Sequence, residues 1–539
     1  MSKIGFLKCA CWFIAILLVI PGCTPRMSRE EAKQVSVSMD EKPLVRPPRH
    51  ITDILAVLDQ PGQFDVIATK RLKSQVSALP PSQADDQVMA DFYQERGDAA
   101  RQLGYMKQAL DDLRMALIYS QRTGEDDPEL LFHLGQAEKS AGNFRKAVEL
   151  LEKSLELRET VEKYVVLADA HIKMGDMETA EQLGREGYDR YVQATKKQSR
   201  KRRTKKSVLI ASSREVNMAG IRYAVLEAQG KYGEAEQHLR KILDFSRFQP
   251  LKERQPRNII NTRMQLSQNL SRQSRLLEAE MEARQVVKEA LGFGGLESDL
   301  TVRAVRRLAG VMSAQRRLDD AERLARTAIR ILDASGFPSD SNEMCNSQMF
   351  LGNVLSRKGD FPEAMKQFDL AREGMKENLY LYETMFTRNS NLMLTLLKTG
   401  RLDEAMRIIS DVYEWNRKNF GQKHRETIMT LGLRGMAHMM AGNDRQGFDD
   451  LSSAIPVLMA EGGNQNAPTR LHRAILEGYI DFLGRIYGTP LEKELGLRAE
   501  DEAFRIAGYL GGQSIQEALG ESSARAAASY DAELSALVR

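Results

Sequence analysis

Along most of this chain apolar residues recur every three to four positions, in stretches broken by short polar turns, which is the spacing of a helix with one buried face. The clearest stretch, Pro128 to Leu155 (PELLFHLGQAEKSAGNFRKAVELLEKSL), predicts two such helices joined at Gly142, with Leu131, Leu134 and Gly135 facing Ala147 and Leu151. A small residue then returns as Ala279, Ala321, Ala364, Ala405 and Gly447, at spacings of 42, 43, 41 and 42. In four of these five units the residue twelve places earlier is small as well (Ser267, Ala309, Gly352, Gly435); the remaining unit has Met393. Three earlier pairs show the same interval, Gly97 with Ala109, Gly135 with Ala147 and Ala168 with Ala180, and a weaker unit lies around Gly230, Tyr232 and Ala235. Paired small positions let the two helices of a hairpin approach closely. A glycine five places before the second small position (Gly104, Gly142, Gly175) suits the left-handed turn between them. A fixed period holding two amphipathic helices predicts an all-α fold, an α-α superhelix or solenoid, whose usual work is binding.

The periodicity divides the chain. Residues 50–85 read as a helical N-terminal cap, with 51–59 and 65–78 as a helical pair closing the end of the stack. Residues 86–191 hold units 1–3, 192–213 a basic insertion, 214–460 units 4–9, and 461–539 further helices. Composition adds little beyond agreement: aromatics are 6% and charged residues 28% of 539, suiting an array sealed by small and aliphatic side chains. The four cysteines, Cys9, Cys11, Cys23 and Cys345, cannot make a disulfide framework.

The N-terminus changes the picture. Lys3 and Lys8 precede an apolar run, Cys9 to Ile20, too short to span a bilayer and typical of a secretory signal. The run Ile20-Pro21-Gly22-Cys23 resembles a bacterial lipobox. That resemblance implies that 1–22 is a lipoprotein signal peptide and that Cys23 carries the lipid anchor. It also implies a cell-envelope location, with Thr24 favouring the outer membrane and a periplasm-facing body. Residues 23–49, with Pro25, Pro43, Pro47 and Pro48, read as a disordered tether.

Charge is local. The formal balance is +4, yet Lys196, Lys197, Arg200, Lys201, Arg202, Arg203, Lys205 and Lys206 fall in one run, and the rest of the chain is net acidic. The run reads as a solvated helix extension or, functionally, as a patch for an anionic surface; export argues against nucleic acid as its partner.

Candidate chemistry is sparse. Cys345 has no neighbouring base in sequence to make it a nucleophile and reads as a packed thiol. His424 and His438 lack the spacing of helical metal ligands, and Gly292-Phe293-Gly294-Gly295 follows no strand. No catalytic residue, metal site or cofactor is expected. What remains is a groove lined by first helices, for which helical phase nominates Arg303, Arg306, Asn353, Arg357, Met436 and Met439 as contacts to a protein or peptide ligand. For the two methionines core packing is the favoured reading, since methionine fills irregular gaps as readily as it adapts to a ligand.

The unit at Pro128 resembles a tetratricopeptide repeat, with Leu131 where that family has its Trp, and the longer-period units resemble the kinesin-light-chain type, in the linking segments ALGFGGLESDLTVRAVRRLAG and NFGQKHRETIMTLGLRG. The stretch Ala499 to Arg539 resembles the helical segment that precedes a caspase-like CHAT domain in repeat proteins, through Ala503-Phe504, Gly512 with Ser514, Ala518-Leu519, the Ala524 to Ala528 run and Leu534 to Arg539. The opening PPRHITDILAVLDQPGQFD fits the same pattern. In that family the catalytic His and Cys lie in the following domain. The resemblance therefore implies a non-catalytic scaffold here or, alternatively, the recognition half of a bipartite cysteine protease whose CHAT domain is missing or separately encoded as a partner.

Overall fold

The computed structural model describes residues 50–58, 66–199, 219–248, 256–376, 382–462 and 470–512, apart from single positions within them. Every regular element among the described residues is a helix. Cys23, the tether, the basic run from Arg200 onward and the tail from 513 lie outside them; Lys196 and Lys197 fall on helical backbone whose side chains are not described.

Two short helices come first, α1 (Thr52–Leu58) and α2 (Val66–Val76). Antiparallel pairs follow: α3 (Asp86–Leu103) with α4 (Met106–Arg122), α5 (Pro128–Ser140) with α6 (Phe144–Leu157), and α7 (Val161–Met174) with α8 (Met177–Ser199). The fourth unit ends in α9 (Tyr232–Phe248). The long-period units pair α10 (Pro256–Arg272) with α11 (Leu276–Gly294), α12 (Asp299–Ala314) with α13 (Leu318–Ala334), α14 (Asn342–Lys358) with α15 (Phe361–Met375), α16 (Ser390–Lys398) with α17 (Leu402–Phe420), and α18 (Arg425–Met440) with α19 (Asp444–Gly462). Two more helices, α20 (Arg470–Ile486) and α21 (Pro490–Glu494), precede a last helical stretch at 499–512. From α2 to α8 and from α9 to α21 consecutive helices pack on one another, as a solenoid requires.

The small pairs sit at the closest helix approach. A Cβ placed on Gly135 would meet Leu151 at 2.8 Å, on Gly352 the Phe368 ring at 2.8 Å, and on Gly435 Leu451 at 2.6 Å. Where the pair is Ser267 and Ala279, the serine Oγ donates to the alanine carbonyl at 2.8 Å. The hairpin turn needs a left-handed residue, and the ladder supplies one per unit: Gly230, Gly359, Gly400 and Gly442 have φ between 74° and 94°, while Ser274 and Arg316 hold 62° and 64° against the Cβ penalty. Arginines just after several of these turns tie consecutive units together, as Arg275 does to Glu236 (2.5 Å), Arg317 to Glu280 (3.3 Å) and Arg401 to Asp369 (2.8 Å).

The two short N-terminal helices part company. Helix α2 packs on α3, with Leu72 and Val76 against Ala99, Ala100 and Ala109, as a cap would. Helix α1 instead joins the apolar cluster of units 4–7. The expected helical pair is therefore split, because the Ile and Leu face of α1 finds its apolar complement far along the chain. The unit with Met393 departs as well: α16 has only nine residues, and a π-helical turn, Tyr382–Phe386, lies ahead of it.

Candidate functional site

The first helices of units 6 and 7 each carry a half-buried stripe at i, i+4 and i+7 among largely buried positions. On α12 it runs Arg303, Arg307, Gly310; on α14 it runs Asn346, Phe350, Asn353, Arg357. Adjacent stripes touch. The Arg307 guanidinium donates to Gln268 of α10 at 2.8 Å, and the Arg357 Nη1 donates to the Ser313 hydroxyl of α12 at 2.5 Å.

Three side chains on the first helices of units 5–7 hold buried polar atoms that pair with nothing among the described residues: Asn261 Oδ1 on α10, Arg307 Nε on α12 and Asn353 Oδ1 on α14. Counted from the small position of each helix they stand six before, two before and one after, so they share one face and climb by a turn per unit. Buried polar atoms left unmatched are costly, which makes such a diagonal a natural place for a ligand's own amide groups. Burial, with the charge of Arg306 beside it, pushes the Arg307 guanidinium down to about 10, an environment that an anion would relieve.

The nominated groove residues divide. Arg303 is half-buried, 4.0 Å from Asp299, and Asn353 and Arg357 lie on the stripe. Arg306 lies one position off it and serves as an inter-unit strut, with Nη1 2.8 Å from Glu343 and donating to the Ser347 hydroxyl at 3.0 Å. Met436 and Met439 are 5% and 4% exposed. Met436 packs where α20 presents Gly478, and Met439 where α19 presents Gly447, so both fill the core and the stripe is closed at this end. Phase counting missed Arg307 and Asn261. The signal was present, since Arg307 follows Arg303 by four residues and Asn261, six before its small position, stands on α10 where Arg303 stands on α12.

Two cavities lie elsewhere on the solenoid. Cys345 is 1% exposed beside a cavity of about 400 Å³ lined in part by Lys107, Arg114, Asn342, Glu373 and Lys376. Burial pushes its thiol up to about 12, the opposite of an activated nucleophile. Where α16 is short, a cavity of about 280 Å³ opens between Met393, Trp415, Phe420 and Met429, with the Arg388 guanidinium stacked 3.6 Å from the Trp415 ring centre.

These pairs and stripes define an all-α helical-repeat solenoid. Residues 128–160 match the tetratricopeptide repeat family, the unit that includes α5 and α6. No curated protein matches the sequence. Among solved structures, a Rap protein complexed with competence and sporulation factor is similar at 10% identity, over 68% of this chain and 97% of that one, with a TM-score of 0.41. BtubC from P. vanneervenii is similar at 17% identity, over 51% and 91%, with a TM-score of 0.32. The quorum sensor NprR from B. thuringiensis, in its apo form, is similar at 14% identity, over 64% and 92%, with a TM-score of 0.37.

Proposed function

We propose that this chain is a lipid-anchored, envelope-facing scaffold that holds an extended segment of a partner protein along the first helices of units 5–7. The observation that carries the binding reading is the diagonal of buried, unmatched polar atoms on Asn261, Arg307 and Asn353. A peptide backbone offers amide donors and carbonyl acceptors at regular intervals, and an acidic side chain on it would meet Arg303 and Arg307. Apolar contacts alone would bind without register; matching amide groups fix one.

A phage-displayed peptide library panned on the purified chain tests the groove. Extended peptides bearing a carboxylate should be enriched, and replacing Asn261 and Asn353 together by Ala should weaken them about tenfold or more, the cost of leaving one or two polar groups unmatched. Enriched peptides indifferent to both substitutions would refute this groove. The anchor rests on the lipobox resemblance around Cys23, and Cys23→Ala should abolish acyl labelling in a bacterial host. Labelling that persists would remove the membrane from the reading and leave the groove standing.

A further inference from the structure

The segment His50–Leu58 is held as a ligand is held. Ile51 and Ile54 are fully buried, Leu58 is 3% exposed and Leu55 9%, so the pattern i, i+3, i+4, i+7 is spent on one surface. That surface belongs to units 4–7, since these residues share an apolar cluster with Leu239, Ala283, Val287 and Val305. A charged clamp orients the segment. Arg284 of α11, itself 5% exposed, pairs with Asp53 at 2.7 Å and donates to the His50 carbonyl at 3.0 Å, across more than two hundred residues of sequence.

A helix of seven residues does not persist on its own in water. Its order therefore comes from docking, which is the energetics of a bound peptide and not of a repeat propagated from its neighbour. The receptor side is built to stand without it in one respect: Arg284 Nε also donates to Glu280 at 2.8 Å, and Glu280 is in turn held by Gln315 at 2.9 Å. Undocking the segment would leave the guanidinium paired while uncovering apolar surface, the state in which another helix of the same pattern can land.

We infer that the face around Arg284 is a receptor site for a short amphipathic helix, with Ile or Leu at i, i+3, i+4 and i+7 and a carboxylate at i+2, and that residues 50–58 are its ligand in cis. This site lies on other residues than the groove proposed above and stands or falls independently of it. Because the cis segment is tethered, its effective concentration is high, and an outside helix competes only when the segment is released.

The test uses the full chain and a fluorescein-labelled peptide of residues 49–60. Wild type should bind it weakly, and a chain carrying Ile54→Asp with Leu58→Asp should bind it on the order of a hundredfold more tightly. The same peptide with Asp53→Arg should lose that gain, and recover it when the opened chain also carries Arg284→Asp. If the double variant fails to fold, the Asp53→Arg chain, which keeps all four apolar anchors, replaces it and should bind the unaltered peptide at least tenfold better than wild type. An opened chain with wild-type helicity and melting that does not bind the peptide overturns the inference, as does binding insensitive to the charge exchange.

Discussion

His133 on α5 faces Asp98 on α3, Nδ1 to Oδ2 at 2.8 Å, and that hydrogen bond raises its pKa above the ordinary histidine value despite burial. A group whose folded pKa is raised stabilises the fold fully below its unfolded value, near 6.5, and the contribution is lost as pH climbs through the folded value. The contact between units 1 and 2 should therefore loosen from mildly acidic to mildly alkaline pH. Amide exchange in α3 and α5, corrected for intrinsic rate, should rise across that range in wild type and stay flat in His133→Gln; identical profiles would show that the pair does not carry the effect. Nothing in the sequence marked this histidine, because its partner lies one unit back, while the small pairs were legible since their spacing is fixed within a hairpin. Arg306 was misread for a related reason, whereas Met436 takes the core place that was its other reading. Helical phase gives the face of a residue to within about one position, and one position separates a groove side chain from a strut between units.

Within a helix the same residue type carries opposite expectations, according to what faces it. Gly352 on α14 lies against Phe368, itself fully buried in α15, and a methyl there would stand 2.8 Å from a ring with no room to retreat. Gly352→Ala should therefore destabilise the chain by about 1–3 kcal/mol, the usual cost of overpacking, outweighing the roughly 1 kcal/mol that alanine gains in a helix. Gly310 on α12 is the counterexample, because its nearest foreign atom, on Phe350, would be 3.9 Å away. Gly310→Ala should raise the denaturation midpoint where Gly352→Ala lowers it. Equal responses would mean that the ladder records helix propensity and not helix approach. The ladder itself was readable because both partners of each pair lie in one hairpin. The short α16 was readable only as a departure at Met393, since the π-helical turn before it leaves no periodic trace.

A solenoid whose units touch only their neighbours should unfold as a chain of local steps. Here the early units also meet the sixth and seventh: the Tyr105 and Phe337 rings pack edge to face with centres 6.0 Å apart, and Asn342 donates to the Ser140 carbonyl. Contacts of this separation carry no periodic signature, so the repeat pattern foretold the units and not their closure on one another. They change how a local defect spreads. Phe337 is 7% exposed, and Phe337→Ala should cost about 3–5 kcal/mol through lost burial and the cavity left behind. If the long-range contact is energetically real, hydrogen exchange should accelerate in α4 as well as in α13 and α14. Truncating Leu151 in α6, which lies in the core of unit 2, should by contrast act chiefly on α5, α6 and α7. Acceleration confined to α13 and α14 in the Phe337 variant would return the molecule to nearest-neighbour behaviour, with the Tyr105 contact a touch and not a tie.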